Sequence, residues 1–218
     1  MNKVISLRRR RIPLMYKRLF AFYGPQKWWP AKTRLEVIVG AILTQNTNWG
    51  NVERAIVSLQ RENLLSLERL RKISSSVLAR HIRSCGYYNI KARRLKNFVD
   101  FVFCQYDGSL ERMRRQPLVR LREHILSVNG VGPETADSIL LYAFRKPIFV
   151  VDAYTQRILR RHGIINGPQD YHQMQQIFMR RLPREPQLFN EYHALLVRVG
   201  KDYCRTQPRC GQCPLKGL

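Results

Sequence analysis

Residues 129–144 read NGVGPETADSILLYAF, with two glycines around Val131 and an amphipathic run after them. Glycine tolerates a positive φ, so Gly130 and Gly132 predict a tight turn. Pro133 suits the first residue of a helix, where a missing N–H leaves no hydrogen bond unmade. A second helix is predicted before the turn by an apolar stripe of Leu118, Leu121, Ile125 and Val128. The stretch therefore predicts two helices joined by a glycine turn whose amides and helix dipole face an anion.

The rest of the chain also shows mainly helical periodicity. Apolar residues recur at helical spacing in segments 35–45, 52–60, 75–82, 91–103, 154–161 and 192–199. The one candidate strand is the short run PIFVV at 147–151. Loops are predicted at the joints that carry proline and glycine, which are 24–30, 107–117 and 166–168. The sequence predicts an all-α protein.

The charge of the chain points to a polyanion. Lysine and arginine number 39 against 15 acidic residues, which gives a net charge of +24. The alternatives are a generally basic surface or an unstructured arm at Arg8–Arg11. Because the basic residues are spread through every segment, nucleic acid is the expected partner, bound more weakly as salt rises. A hydrophobic content of 44% argues against disorder.

Nothing in the sequence predicts a membrane or secretion signal. The charged N-terminus has no apolar stretch directly after it, and VIVGAIL (37–43) is too short to span a bilayer. An odd number of cysteines, with three close together near residue 210, favours metal binding in a reducing compartment over disulfides. We expect a cytoplasmic, nucleoid-associated monomer.

The run of helix, NGVGPETA and helix resembles the helix-hairpin-helix element of the DNA glycosylases related to endonuclease III. The alternative is a plain helical corner, since GxG turns are common. The resemblance implies that Gly130, Val131, Gly132 and Thr135 hold the DNA backbone. It also implies the helix-hairpin-helix DNA glycosylase fold, with the DNA cleft between two helical domains. These domains would be residues 34–144 and residues 1–33 plus 145–218.

Asp152 follows in FVVDAYTQRILRR (149–161), eighteen residues after Glu134. One reading of this aspartate is a helix N-cap. The family carries its catalytic aspartate at this spacing, so the resemblance implies that Asp152 is catalytic. Breaking a base–sugar bond builds positive charge on the sugar, which a fixed carboxylate stabilises while it orients or deprotonates water. One aspartate could serve in both roles.

Glu134 stands where the bifunctional endonuclease III-like enzymes carry a lysine. In those enzymes the amine attacks the sugar and leads to strand cleavage, and a carboxylate cannot form the imine. The nearest alternative amines by sequence are Lys146 and Lys201, and neither lies in the motif. The exchange predicts base release that leaves the strand intact.

A tryptophan-rich stretch, Trp49 and a glutamine predict how a base would be flipped and held. Gln45 in LTQNT (43–47) matches the family's intercalating glutamine, with a polar residue at a helix end as the alternative. KWWPAK (27–32) resembles 3-methyladenine DNA glycosylase III, and core packing is the alternative for its tryptophans. The resemblance places the base between Trp28 and Trp49, beside Trp29 and Pro30. An alkylated purine is cationic, so stacking on indole would gain roughly 0.5–2 kcal/mol.

Cys204, Cys210 and Cys213 form the spacing C-x5-C-x2-C. The endonuclease III family uses C-x6-C-x2-C-x5-C around a [4Fe–4S] cluster, so one gap is short and a fourth cysteine is not visible. The resemblance predicts a [4Fe–4S] cluster that orders a basic loop against DNA. Zinc or a vestigial site are the alternatives, because such metals take four ligands.

These motifs together predict a monofunctional DNA glycosylase of base excision repair that acts on duplex DNA. The expected substrate is an alkylated purine such as 3-methyladenine. Three alternatives stay open: a glycosylase for uracil or thymine in mismatches, an enzyme with residual lyase activity, and a non-catalytic helix-hairpin-helix DNA-binding protein. The last would not need Asp152.

Overall fold

The computed structural model describes residues 2–26, 28 and 31–218, with side chains described from residue 11 onward. Across these residues the regular structure is entirely helical, which confirms the predicted all-α class. The helices are α1 Asn2–Tyr23, α2 Arg34–Leu43, α3 Trp49–Arg61, α4 Leu67–Lys72, α5 Ser75–His81, α6 Tyr88–Tyr106, α7 Leu110–Arg114, α8 Leu118–Leu126, α9 Pro133–Ser138, α10 Ala153–Arg161, α11 Tyr171–Met179 and α12 Pro186–Asp202. Short 3₁₀ turns lie at Arg83–Cys85 and Cys210–Gln212, and α9 continues into a π-helical turn, Ile139–Ala143.

Two local predictions were wrong. The candidate strand at 147–151 is a buried extended segment without strand pairing. Its backbone is bonded by side chains of α11 instead: Gln175 donates to the Phe149 carbonyl at 2.7 Å, and the Val151 amide donates to the Tyr171 hydroxyl at 3.4 Å. The joint predicted at 107–117 contains α7, which begins where the Ser109 hydroxyl accepts from the Arg112 amide.

The chain divides into two compact units, one of residues Ala31–Lys146 and one of Met1–Pro30 with Pro147–Leu218. In the continuous unit, α2 is the central element, and every residue from Leu35 to Leu43 is buried. It packs against α3, α6, α9 and the π-helical turn. Four successive helices, α2 to α5, begin at N-cap side chains that accept an amide hydrogen bond, which are Thr33, Asn48, Ser66 and Ser74.

The discontinuous unit has an aromatic core around α12. The rings of Phe149 and Phe178 stack at 3.9 Å and 6°, and Tyr192 meets both rings edge-on. The Tyr192 hydroxyl donates to the Ile12 carbonyl at 2.8 Å, which satisfies its polar group in the core. These contacts join α1 to α12, while α10 packs on another part of α12. None of the helices in the described ranges is long and apolar enough to cross a bilayer.

Candidate nucleic-acid interface and active site

The hairpin between α8 and α9 has the predicted helix–turn–helix form, but its two glycines differ. Gly130 has a φ of +91°, whereas Gly132 has φ −89° and ψ 177°, an ordinary extended conformation. The positive φ that glycine allows is therefore used at Gly130 and not at Gly132. Val131 lies buried between them, and its amide donates to the Val128 carbonyl at 3.0 Å. Val131 thus anchors the turn in the core.

The surface of the hairpin is the exposed stretch Gly132, Pro133 and Glu134. A Cβ added to Gly132 would meet no atom within 4 Å, so the backbone lies open there. No side chain caps α9, and Pro133 occupies its first turn as predicted. Glu134 lies in the same turn, where the helix dipole favours a carboxylate. An approaching group would meet backbone rather than side chains at Gly132.

Gln45, in the turn after α2, is hydrogen-bonded to the hairpin. Its Nε2 donates to the Gly130 carbonyl at 3.2 Å and to the Thr135 hydroxyl at 3.0 Å. Its Oε1 accepts from Nη1 of Arg94. The side chain predicted to enter the DNA stack therefore links both sides of the turn, and its role as a wedge stays a prediction.

Arg94 and Asn97, one turn apart on α6, also contact the hairpin, and the sequence reading missed both. A Cβ on Gly130 would lie 2.3 Å from Cγ of Arg94, so the arginine packs directly against this glycine. The Asn97 amide donates to the Asn129 carbonyl at 3.1 Å. The available signal was the cluster of basic residues in segment 91–103, which does not indicate what each of them contacts.

Lys91, one turn before Arg94, is a buried cation. Its Nζ donates to the Leu43 carbonyl at 2.9 Å and to the Cys85 carbonyl at 2.7 Å. Burial lowers the pKa of this ammonium, and the neighbouring Arg94 lowers it further. Lys91 thereby ties the C-terminal end of α2, just before Gln45, to the turn that precedes α6.

A buried ion pair clamps the two helices of the hairpin together. Nε of Arg122 on α8 lies 2.7 Å from Oδ1 of Asp137 on α9, and Nη2 donates to Oδ2 at 3.2 Å. Asp137 is fully buried, while Arg122 keeps part of its side chain in solvent. The fork geometry fixes the angle between the helices as well as their separation.

Asp152, in the discontinuous unit, is the N-cap of α10, which confirms that part of its prediction. Its Oδ1 accepts from the Thr155 amide at 2.7 Å. Its Oδ2 lies 3.7 Å from Nε2 of His193 on α12, a buried residue that the sequence reading did not single out. Burial lowers the pKa of His193 more than the Asp152 charge raises it. The imidazole is therefore neutral at pH 7.

The predicted base-pocket residues are described only in part. Trp28 is half-buried in the discontinuous unit, and Trp49 is half-buried as the first residue of α3 in the continuous unit. Trp29 and Pro30 lie outside the described residues. The predicted base sandwich therefore stays a prediction.

The C-terminal cysteines differ in environment. Cys204 is buried, Cys213 is half-buried and Cys210 is exposed. Nη1 of Arg161 lies 3.3 Å from the Cys204 sulfur and also donates to the Arg205 carbonyl, which orders the start of the tail. In the part of the chain that the structure describes, no three His, Cys, Asp or Glu side chains are grouped so that they could hold a metal ion. The predicted [4Fe–4S] cluster therefore stays a prediction.

Comparisons with known proteins agree with the geometry. The family model described as HhH-GPD superfamily base excision DNA repair protein matches residues 39–184. The Methanocaldococcus jannaschii protein named "Putative DNA repair glycosylase MJ1434" is 48% identical over 204 residues, which are 93% of this chain and 92% of the relative.

Two solved structures share the fold. The H. pylori 3-methyladenine DNA glycosylase bound to 1,N6-ethenoadenine is 28% identical with a TM-score of 0.77, over 86% of this chain and 95% of that one. A trapped endonuclease III–DNA covalent intermediate is 20% identical with a TM-score of 0.82, over 95% and 93%. The resemblance found in the motifs is thus confirmed at the level of the whole chain. The chain belongs to the HhH-GPD superfamily of base excision DNA repair proteins, and within it to the DNA glycosylases.

Proposed function

We propose that this protein is a monofunctional DNA glycosylase that flips an alkylated purine such as 3-methyladenine out of duplex DNA and releases it by hydrolysis. The observation that carries the proposal is the pairing of an intact hairpin with Glu134 at the position of the lyase lysine. The hairpin contacts phosphates and positions the duplex without reading its sequence. The reaction ends when the base leaves, and the sugar–phosphate strand stays whole.

Asp152 supplies the charge for the chemical step. Its Oδ1 is occupied by the Thr155 amide, which fixes the carboxylate, while Oδ2 faces the buried imidazole of His193. As the base–sugar bond breaks, the anionic carboxylate stabilises the cationic sugar and orients the attacking water. Because its surroundings are largely desolvated, this electrostatic effect is stronger than it would be in water.

The absence of lyase activity follows from the amines available. The Glu134 carboxylate cannot form a Schiff base with the sugar. The ammonium of Lys146 is engaged in a hydrogen bond, which its Nζ donates to the Gln116 carbonyl at 2.8 Å. Lys201 is exposed near the end of α12. Burial lowers the pKa of Lys146, which makes it the amine to examine if any covalent complex forms.

The proposed preference for an alkylated purine is supported by two tryptophans, Trp28 and Trp49, and by one related solved structure. The H. pylori glycosylase that shares this fold was solved with 1,N6-ethenoadenine, a purine adduct. We propose that Trp28 and Trp49 each stack on the flipped base before it is released, when a positively charged alkylated purine gains a cation–π attraction. Gln45 is proposed to fill the space that the base leaves in the duplex.

The test is a panel of duplexes that carry 3-methyladenine, 7-methylguanine, uracil opposite guanine, thymine opposite guanine, or an oxidised pyrimidine. We expect free alkylated purine, an intact abasic strand, and no covalent complex after borohydride treatment. Release of uracil or thymine alone would assign the protein to the mismatch glycosylases. A nicked strand with a trapped complex would show a lyase, and release of no base would leave a DNA-binding protein.

We propose separately that Cys204, Cys210 and Cys213 bind a [4Fe–4S] cluster, which the reaction above does not involve. The support is the cysteine spacing alone. Protein purified without oxygen should contain iron and acid-labile sulfide, both lost in Cys210→Ser and both kept in Cys104→Ser. Cys104 is the control because it is exposed and lies outside the tail. Wild-type protein without iron would reject the cluster.

A further inference from the structure

Lys91 and Arg94 form a pair of cations behind the hairpin turn without a carboxylate to balance them. Lys91 donates hydrogen bonds to two backbone carbonyls, and Arg94 donates a hydrogen bond to the side-chain amide oxygen of Gln45. Within the described ranges, neither side chain forms an ion pair with an acidic residue. Burying one charge and placing another of the same sign beside it is unfavourable unless an anion offsets both.

The position of Arg94 indicates where that anion would lie. Its side chain packs against Gly130, and its Nη1 is held by Gln45, so the guanidinium is fixed beside the turn. Gly132 follows two residues later with its backbone open to solvent. Arginine presents several N–H donors, and phosphate accepts them in a fork.

We propose that Arg94 donates to a backbone phosphate of the DNA bound at the hairpin, so that α6 contributes to phosphate binding together with the glycine turn. Lys91 adds positive charge behind it without reaching the surface. This inference rests on the proposed contact between the hairpin and DNA. It differs from a purely structural role, in which Arg94 would only support Gln45 and Gly130.

Salt dependence distinguishes the two roles, because each phosphate contact releases counterions. Binding to undamaged duplex is measured over a series of salt concentrations. Losing one contact should reduce the slope of log K against log salt by about 0.9. Arg94→Gln keeps a donor for Gln45 and removes the charge, and Arg94→Met removes both. Each of these two variants should show the smaller slope and should bind the duplex roughly tenfold more weakly than the wild type at low salt.

Two matched controls lie on the same helix. Asn97→Ala removes a hydrogen bond to the hairpin, at Asn129, without changing charge, so its slope should equal that of the wild type. Arg93→Met removes the same charge from an exposed neighbour and should change the slope less than Arg94→Gln does. Thermal unfolding identifies any variant that is not folded.

A wild-type slope in folded Arg94→Gln, or equal slopes in the Arg93 and Arg94 variants, would overturn the inference. The binding measurement needs no lesion, so an error in the assigned base leaves it intact. If the wild type itself binds duplex without salt dependence, the proposed DNA contact of the hairpin fails first. If binding behaves as expected and no base is released, the glycosylase proposal fails alone.

Discussion

The hairpin combines open backbone at Gly132 with the partly exposed cation of Arg94, whereas Asp152 lies beside a buried imidazole that is neutral at pH 7. Beside the hairpin, neither Arg94 nor Lys91 forms an ion pair with an acidic residue within the described ranges. Around Asp152, one oxygen is bonded to an amide and the other faces His193. Binding a phosphate requires accessible positive charge, while stabilising a sugar cation requires a fixed negative charge in a desolvated site. The two regions are therefore suited to different steps of one reaction.

The largest expected effect comes from Asp152→Asn. Asparagine caps a helix as well as aspartate does, so the free energy of unfolding should stay near the wild-type value. The carboxylate charge is lost, and base release under single-turnover conditions should fall by about a thousandfold. Duplex affinity should change little, which would separate the chemical region from the hairpin.

Asp170→Asn is the matched control, because Asp170 caps α11 in the same unit through the same kind of hydrogen bond. It should leave the rate of base release unchanged. If Asp152→Asn also released base at a wild-type rate, Asp152 would be a cap only.

The next effect concerns the clamp inside the hairpin. Arg122→Met leaves the carboxylate of Asp137 buried without its cation, and removing one partner of a buried pair costs about 3–5 kcal/mol. Urea unfolding should show this loss. Arg120→Met, on the exposed side of α8, should change the unfolding free energy by less than about 0.5 kcal/mol. Equal losses in the two variants would mean that general charge, and not the clamp, stabilises the hairpin.

A smaller effect separates the two glycines of the turn. Gly130→Ala forces a side chain into a positive φ and against Arg94, which should cost about 1–3 kcal/mol in unfolding free energy. Gly132→Ala meets open space at an ordinary φ and should leave stability almost unchanged. It should instead weaken duplex binding, because the added methyl lies where a phosphate would approach the backbone. Unchanged affinity in Gly132→Ala would exclude that approach.

Local patterns were enough to predict most of the fold. The glycine turn, the helical stripes and the capping role of Asp152 depend on neighbours in sequence, so periodicity and residue type revealed them. The extended segment at 147–151 was misread as a strand because a continuous apolar run indicates burial but not what bonds its backbone. Its partners, Tyr171 and Gln175, lie on a helix that begins twenty residues later.

The supporting residues of the site could not be predicted because they act through distant contacts. Arg94 reaches Gln45 across 49 residues, and His193 lies near Asp152 from α12. In the sequence, Arg94 is one of many basic residues and His193 one of five histidines. Only the packing of α6 on the hairpin and of α12 on α10 separates these two from the rest.

The smallest expected effect is the pH dependence that His193 imparts. Burial lowers its pKa in the folded protein, while the unfolded chain keeps the ordinary value of about 6.5. Below about pH 6.5 the unfolded state therefore binds a proton first, and the stability present above that pH is lost as the pH falls further.

His193→Gln cannot titrate and should lose this dependence. Urea unfolding of both proteins from neutral to acid pH measures the difference, and His162, whose pKa burial also lowers, is present in both. A difference in unfolding free energy that stays constant with pH would show that His193 does not titrate as a buried neutral group. The contrast between a charged hairpin and a carboxylate beside a neutral imidazole would then fail.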